Sequence, residues 1–414
     1  MSSAPRRWRP GPGLLVTAAF IGPGTLTTAS LAGAQHGLQL WWALIASLIA
    51  TLVLQDMALR VGLGLRSGLS EAVRQSPVPA LLKTGLLALI VVAVGIGNAA
   101  YQSGNLLGAQ LGFSGLLPGS STQTLLALSA LASVLLWSGS YRLIQTALVV
   151  LVAIMGALFL YAAVRLLPGL TTLTTAPAAH PDTLLAPAAG DTPTGAIVSV
   201  MALIGTTVVP YNLFLHAQTV QVSWSETDSR ALRQARWDSV FAIALGGAIT
   251  FAIMVTATAA FFGRAESPNA ATLATQLQPL LGPWAQWVFS IGLFAAGLTS
   301  AITAPLAAAW AVCGACGWST ELTSLPFRGV WLAVLTAGTG VAVLQTTPVQ
   351  AIVLAQVANA TLLPAIAGIL LWLCNQPSLL GEFRNTTLAN CLGGLVIAFV
   401  TLLAGYRLIQ IALS

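Results

Sequence analysis

Charge is what this sequence has least of. Among its 414 residues only 6% are Asp, Glu, Lys or Arg, and lysine occurs once, at Lys83. A soluble domain carries about 25% charged residues, so a hydrated globular surface is excluded. With 57% hydrophobic residues, the remaining class is a polytopic helical membrane protein. Histidine is scarce as well: His36, His180 and His216 stand far apart. No nucleophile–base pair, phosphate-binding loop or metal-ligand cluster is present, so the chain is not read as an enzyme and calls for no cofactor. Cysteine is limited to Cys313, Cys316, Cys374 and Cys391, which excludes a disulfide scaffold. Cys313-Gly-Ala-Cys316 imitates a redox or metal motif, but reads more simply as two small residues one helical turn apart near a span end. The net charge of +6 comes from arginines at the ends of apolar runs, so nucleic acid is not an expected partner.

What is there is a succession of apolar segments of about 20 residues, the length that crosses a bilayer. Eleven are expected, at 14–34, 41–61, 85–107, 125–138, 143–167, 195–217, 239–262, 284–311, 330–344, 351–373 and 388–408. Arg6-Arg7-Trp8-Arg9 before the first imitates a signal peptide, but the run is interrupted at Gly22 and many spans follow, so a retained first helix is expected. With the N-terminus cytoplasmic, only Arg165, Arg264 and Arg407 of the sixteen basic residues fall outside, and the odd span count puts the C-terminus outside. The location expected is the inner (plasma) membrane. Trp41, Trp42, Trp137, Trp284 and Trp331 fall at expected interfaces, as aromatic anchors. The Asn385-Thr-Thr sequon would lie inside, so it is discounted. The Thr/Pro/Ala-rich linker 168–194 divides a first five-span unit, 1–167, from a second, 195–373, and 374–414 adds the last span.

Two of these segments contain helix breakers. One is Gly22-Pro23-Gly24-Thr25, the other Thr206-Thr207-Val208-Val209-Pro210-Tyr211-Asn212. Proline lacks the amide hydrogen and clashes with the preceding turn, so each site should unwind its helix. In a membrane, freed backbone groups are tolerated only where they line a cavity or find protein partners. Interrupted helices at matching places in two halves point to the binding site of a transporter.

These motifs carry a resemblance. Phe20-Ile-Gly-Pro-Gly-Thr25 with Leu31-Ala-Gly33 is similar to the first-helix motif of the Nramp metal-ion transporters, and Gly205-Thr-Thr-Val-Val-Pro-Tyr-Asn-Leu-Phe-Leu-His216 resembles their sixth-helix motif. The likeness continues through 55–60, Ala296-Gly297-Leu298-Thr299-Ser300-Ala301-Ile302-Thr303, Ala355-Gln356-Val357 with Pro364, and Gly381-Glu-Phe383. The resemblance implies an all-α, LeuT-type fold: two inverted five-helix repeats with the first and sixth helices unwound around a midplane site.

It also implies where the cargo sits. The family's metal positions fall on Gly22, Thr25, Thr206 (a backbone carbonyl) and Val209. An Asp, an Asn and a Met are expected at the first, second and fourth, so the family's carboxylate and thioether are absent here. The family histidine before the sixth-helix Asn is Tyr211, while Pro210 and Asn212 persist. The third-helix acids that the family uses for protons fall on Ala93 and Ile96. The expected substrate-binding set is Gly22, Pro23, Gly24, Thr25, Thr206, Val209, Tyr211, Asn212 and Gln356, with Asn98, His216, Asp238 and Asn359 along the pathway or in coupling. No metal is expected there, because a transition ion wants imidazole, thiolate, thioether or carboxylate. His216 reads equally as a packed polar group or a pH-sensitive gate. Asp56 and Arg60 are spaced for a helical ion pair.

Half-helix N-termini favour anions, and unwound carbonyls can take an ammonium group. The reading preferred from residues alone is therefore alternating-access transport of a small neutral, zwitterionic or anionic solute. Its alternatives are a divalent ion such as magnesium or manganese carried partly hydrated, and a sensor that no longer transports. The expected partners are that solute or ion and the lipid bilayer, and the chain is read as a monomer.

Overall fold

The computed structural model describes residues 21–117, 119–139, 142–174, 193–224, 227–263, 268–269, 272–345 and 347–413. Among the described residues there is no strand. Ten helices there are long and apolar enough to cross a membrane, and they correspond to the second through eleventh expected segments. The first segment is described only from residue 21, as helix α1, Pro23–His36. Most of the linker and the N-terminal arginine cluster also lie outside the described residues.

In order, α2 is Trp41–Leu65 and α3 the short Leu69–Gln75. Helix α4, Ala80–Ile90, continues through a π-helical turn, Val91–Ile96, into α5, Gly97–Ser114. Next come α6, Ser121–Ser138, and α7, Arg142–Thr174. The sixth segment is two helices, α8, Pro193–Thr207, and α9, Pro210–Ser223. They are followed by α10, Ser229–Phe261, and α11, Ala285–Cys316. The last three are α12, Leu325–Leu344, α13, Pro348–Leu373, and α14, Thr387–Leu413.

Several helices outrun the apolar windows that marked them. Helix α10 begins at Ser229 rather than 239, because the Asp228 carboxylate caps it by accepting the Ala231 amide at 2.7 Å. Arg230, Arg233 and Arg236 then ride on an exposed face of that extra length. Hydropathy marks the part of a helix that lipid covers, whereas capping decides where the helix ends.

The outside of the bundle is apolar. Leu81, Val134, Val164, Leu395 and Leu402 are all exposed, a surface suited to lipid and not to water. Inside, small residues let backbones touch. A Cβ on Gly112 would collide with the Phe294 backbone, and one on Gly297 with the Ala109 backbone, so α5 and α11 cross in direct contact. Pro305 inside α11 has no amide hydrogen to offer the Ala301 carbonyl; Gln102 Nε2 from α5 donates to it instead, at 3.0 Å. One expected anchor is corrected. Trp331 is buried in an edge-on contact with Trp137 (ring centroids 6.3 Å apart), while Trp41, Trp42, Trp137 and Trp284 are exposed. Its place on α12 turns it inward, which a position near a span end does not reveal.

Candidate functional site

The second expected break is present in the backbone, between α8 and α9, and at the first α1 begins at Pro23, the residues before 21 lying outside the described ones. Gly22 is extended (φ −90°, ψ 178°) and Pro23 opens α1 at a position that needs no amide hydrogen. Val209 is likewise extended (φ −83°, ψ 122°), and Pro210 opens α9. Pro210 cannot donate to the Thr206 carbonyl one turn back, so the C-terminal end of α8 keeps carbonyl oxygens free of helical partners. The two breaks meet directly: Thr25 Oγ1 and Thr206 Oγ1 lie 3.0 Å apart in a hydrogen bond between α1 and α8.

Helix α13 closes the site from a third side through one residue. The Gln356 carboxamide lies against Gly24 so tightly that a Cβ there would overlap it, and the Gln356 backbone carbonyl lies equally tightly against Gly205 of α8. Gln356 therefore touches both interrupted segments, the first with its side chain and the second with its backbone. Helix α5 forms a further wall. Pro23 packs on Gly108, and the Tyr101 ring meets the Tyr211 ring with centroids 5.3 Å apart. The expected residues Thr25, Thr206, Val209, Tyr211, Asn212 and Gln356 are all buried.

The distinguishing feature is what these groups do not bond. Neither Asn212 Oδ1 nor Asn212 Nδ2 has a hydrogen-bond partner, and the same holds for Gln356 Oε1, Asn359 Nδ2 and Ser300 Oγ. Each is buried. Buried polar groups are almost always paired, so a set of orphans marks a place meant for something else. Ser300 was not among the expected site residues. Its neighbours Thr299 and Thr303 bond back to carbonyls of their own helix, as hydroxyls in helices usually do, and Ser300 does not. The available donors and acceptors are hydroxyls, carboxamides and backbone carbonyls. Among the described residues, no group of three or more His, Cys, Asp or Glu could hold a metal ion.

The expected pathway residues divide. Asn98 donates from Nδ2 to the Ala304 carbonyl at 3.3 Å and so ties α5 to α11. Asn359 sits one turn beyond Gln356 on α13. His216, one turn beyond Asn212, is packed among three helices. Its Nδ1 donates to Gln55 Oε1 of α2, and its Nε2 faces Ser239 Oγ of α10 at 3.3 Å. Both ring nitrogens thus meet uncharged groups. Asp238 is half-buried and lies well inside α10, beside Ser239. Ala93 and Ile96, the positions of the absent third-helix acids, fall in the π-helical turn, a geometry frequent at functional sites.

Charge is gathered at one end of the bundle instead. Asp56 takes Arg60 Nε at 3.0 Å and is gripped from α10 by Arg236, whose Nη2 donates to Asp56 Oδ2 at 3.3 Å. Arg60 also donates to the Phe383 carbonyl at 3.0 Å and to Asn385 Oδ1 at 2.7 Å. The expected Asp56–Arg60 pair is present, and it is the centre of a clamp joining α2, α10 and the turn before α14. Toward the opposite end, helices are joined by contacts without carboxylates. His36 Nε2 meets Ser199 Oγ at 3.1 Å, and Gln276 binds Ser30 at 3.0 Å and Thr256 at 3.3 Å.

Ten long apolar helices, with one segment broken at Pro210 beside buried, unpartnered polar groups, have the build of a multi-pass transporter. The family model described as "Natural resistance-associated macrophage protein-like" matches residues 13–410, and the chain belongs to that Nramp family. The divalent metal cation transporter MntH 1 of Pseudomonas aeruginosa is 30% identical over 410 residues, covering 94% of this chain and 89% of that protein. MntH of Verminephrobacter eiseniae is 27% identical, covering 92% and 86%. Among solved structures, the Eremococcus coleocola manganese transporter bound to an aromatic bis-isothiourea compound superposes with a TM-score of 0.77. It is 20% identical and covers 99% of this chain and 88% of that one. MhsT in complex with L-phenylalanine follows at 0.62, with 13% identity and coverage of 97% and 100%. These likenesses establish a LeuT-like fold.

Proposed function

We propose that this Nramp-family transporter carries a divalent cation that keeps part of its water shell, such as magnesium or manganese. The observation that carries the proposal is the set of uncharged oxygen donors beside the helix starts at Pro23 and Pro210: the Thr25 and Thr206 hydroxyls, which meet, and the unpartnered side-chain oxygens of Asn212 and Gln356. Hard cations take such oxygens, and magnesium gives up its waters reluctantly, so it accepts sparse protein ligation. Direct contact of the two threonine hydroxyls draws α1 and α8 together, which favours a small ion over a bulky solute. The names of the MntH relatives favour the same reading, which the residues alone had ranked second. The cytoplasmic N-terminus, external C-terminus, inverted five-helix units and monomeric state belong to this proposal.

One observation favours a second reading, a small neutral, zwitterionic or anionic solute. Neither a carboxylate nor a thioether stands at Gly22, Thr25, Thr206 or Val209, so the site offers no countercharge to a dication. Proteoliposome uptake with fluorescent reporters of magnesium and manganese separates the two. The divalent reading expects uptake of both ions with half-saturation near about 1 mM, typical of weak oxygen sites. It fails if neither ion enters while a zwitterionic amino acid does. Restoring the family ligands as Gly22→Asp, Thr25→Asn and Val209→Met should shift preference toward manganese.

A further inference from the structure

A cavity of about 270 Å³ opens at the arginine-poor end of the bundle, between the end of α7 and the segment that leads into α11. Tyr161 and Arg165 of α7 form one wall; Gln276, Pro279 and Leu280 form the other. Arg165 makes no hydrogen bond or ion pair with any described residue, although the cavity beside it is lined by a phenol and a carboxamide. At the opposite end Arg60 and Arg236 are both held by Asp56, whereas Arg165 stands beside an open recess. An arginine near a span end commonly reaches for the lipid interface. What sets Arg165 apart is the recess beside it and the buried Gln276 at its back.

We propose that this cavity binds a phosphate ester, with the headgroup of an anionic phospholipid as its source. The volume is smaller than a drug-sized pocket but adequate for a phosphoglycerol group. A planar guanidinium matches phosphate oxygens in pairs, the Tyr161 hydroxyl adds a donor, and Pro279 and Leu280 give an apolar wall for the root of the acyl chains. Gln276 also forms the knot with Ser30 and Thr256 that closes this end of the pathway. An occupied cavity therefore buttresses the closed end.

The test uses the full chain, purified in detergent, stripped of lipid and offered dioleoylphosphatidylglycerol, dioleoylglycerol or inorganic phosphate. Retained ligand is counted by native mass spectrometry. Retention of phosphatidylglycerol but not dioleoylglycerol is expected, falling about fivefold in Arg165→Gln. Arg165→Lys should keep most of it, and Arg328→Gln, which removes a guanidinium stacked on Trp137 at the other end, should keep all of it. Hydrogen exchange across 273–277 should slow when the lipid is bound to wild type and not in Arg165→Gln. Equal retention by wild type and Arg165→Gln, or retention of no phosphate compound, overturns the site. Binding of inorganic phosphate without the lipid overturns the lipid as source. Unchanged exchange overturns the link to the closed end.

Discussion

The charged clamp at one rim and the broken-helix centre use polar groups in opposite ways. Around Asp56 every charged group has a partner: Arg60 and Arg236 share its carboxylate, and Arg60 donates further to the Phe383 carbonyl and Asn385. In the centre nothing is charged, yet Asn212, Gln356, Asn359 and Ser300 hold buried atoms without partners. A matched cluster adds rigidity and specifies how helices meet. An unmatched one costs stability, since each orphaned group gives up its hydration for no return bond. The clamp therefore ties helices together, and the proposed site is where stability would be given up for function.

The comparison can be broken most sharply at Arg60. Arg60→Ala leaves Asp56 with only the half-exposed Arg236 and strips two acceptors, so a loss of about 3 kcal/mol or more is expected. It should be visible as a large drop in melting temperature of the solubilised protein; a drop of less than a degree would mean the clamp is ornamental. Next comes Gly205→Ala. The added methyl meets the Gln356 backbone, which cannot swing aside, so about 1–3 kcal/mol of strain and loss of uptake are expected. The matching control is Gly340→Ala on α12, where a Cβ meets no atom within 4 Å, and melting should stay level or rise slightly.

A change of the opposite sign is expected at Asn212. Asn212→Leu removes an unpartnered carboxamide of similar volume, so stability should rise by about 1 kcal/mol while uptake is abolished. A fall in both would show that the carboxamide is structural and would place the centre with the clamp. The smallest effect belongs to Arg236→Gln. The side chain is 46% exposed and Arg60 keeps Asp56 paired, so the cost should be within about 1 kcal/mol. Chemical denaturation of wild type and variant side by side would detect a larger one.

The starts of α1 and α9 were legible because proline acts locally. Pro210 parts α8 from α9 and Pro23 opens α1, each at a position that needs no amide hydrogen, and the Asp56–Arg60 pair follows from helical spacing alone. Other features depend on neighbours far along the chain. Arg236 and Asn385 join Asp56 and Arg60 across separations of 180 and 325 residues, and no local pattern predicts that. Trp331 sits near a span end like the other interfacial tryptophans, and only its packing on Trp137 turns it inward. Ser300 could have been suspected as a hydroxyl in a small-residue run. That it bonds nothing, unlike Thr299 and Thr303, is visible only with the helices in place.

By itself the sequence determined the solvent, the ten long apolar helices from Trp41 onward, the points where α1 and α9 begin and the absence of a carboxylate and thioether beside them. Those are consequences of composition and of single-residue backbone chemistry. Tertiary structure decided which polar groups are satisfied. Gln356 reaches both breaks, the two threonines bond each other, His216 finds Gln55 and Ser239, and Asn212 is left with nothing. Whether a buried group has a partner depends on distances of a few ångströms between segments far apart in the chain, and those distances exist only once the helices have packed.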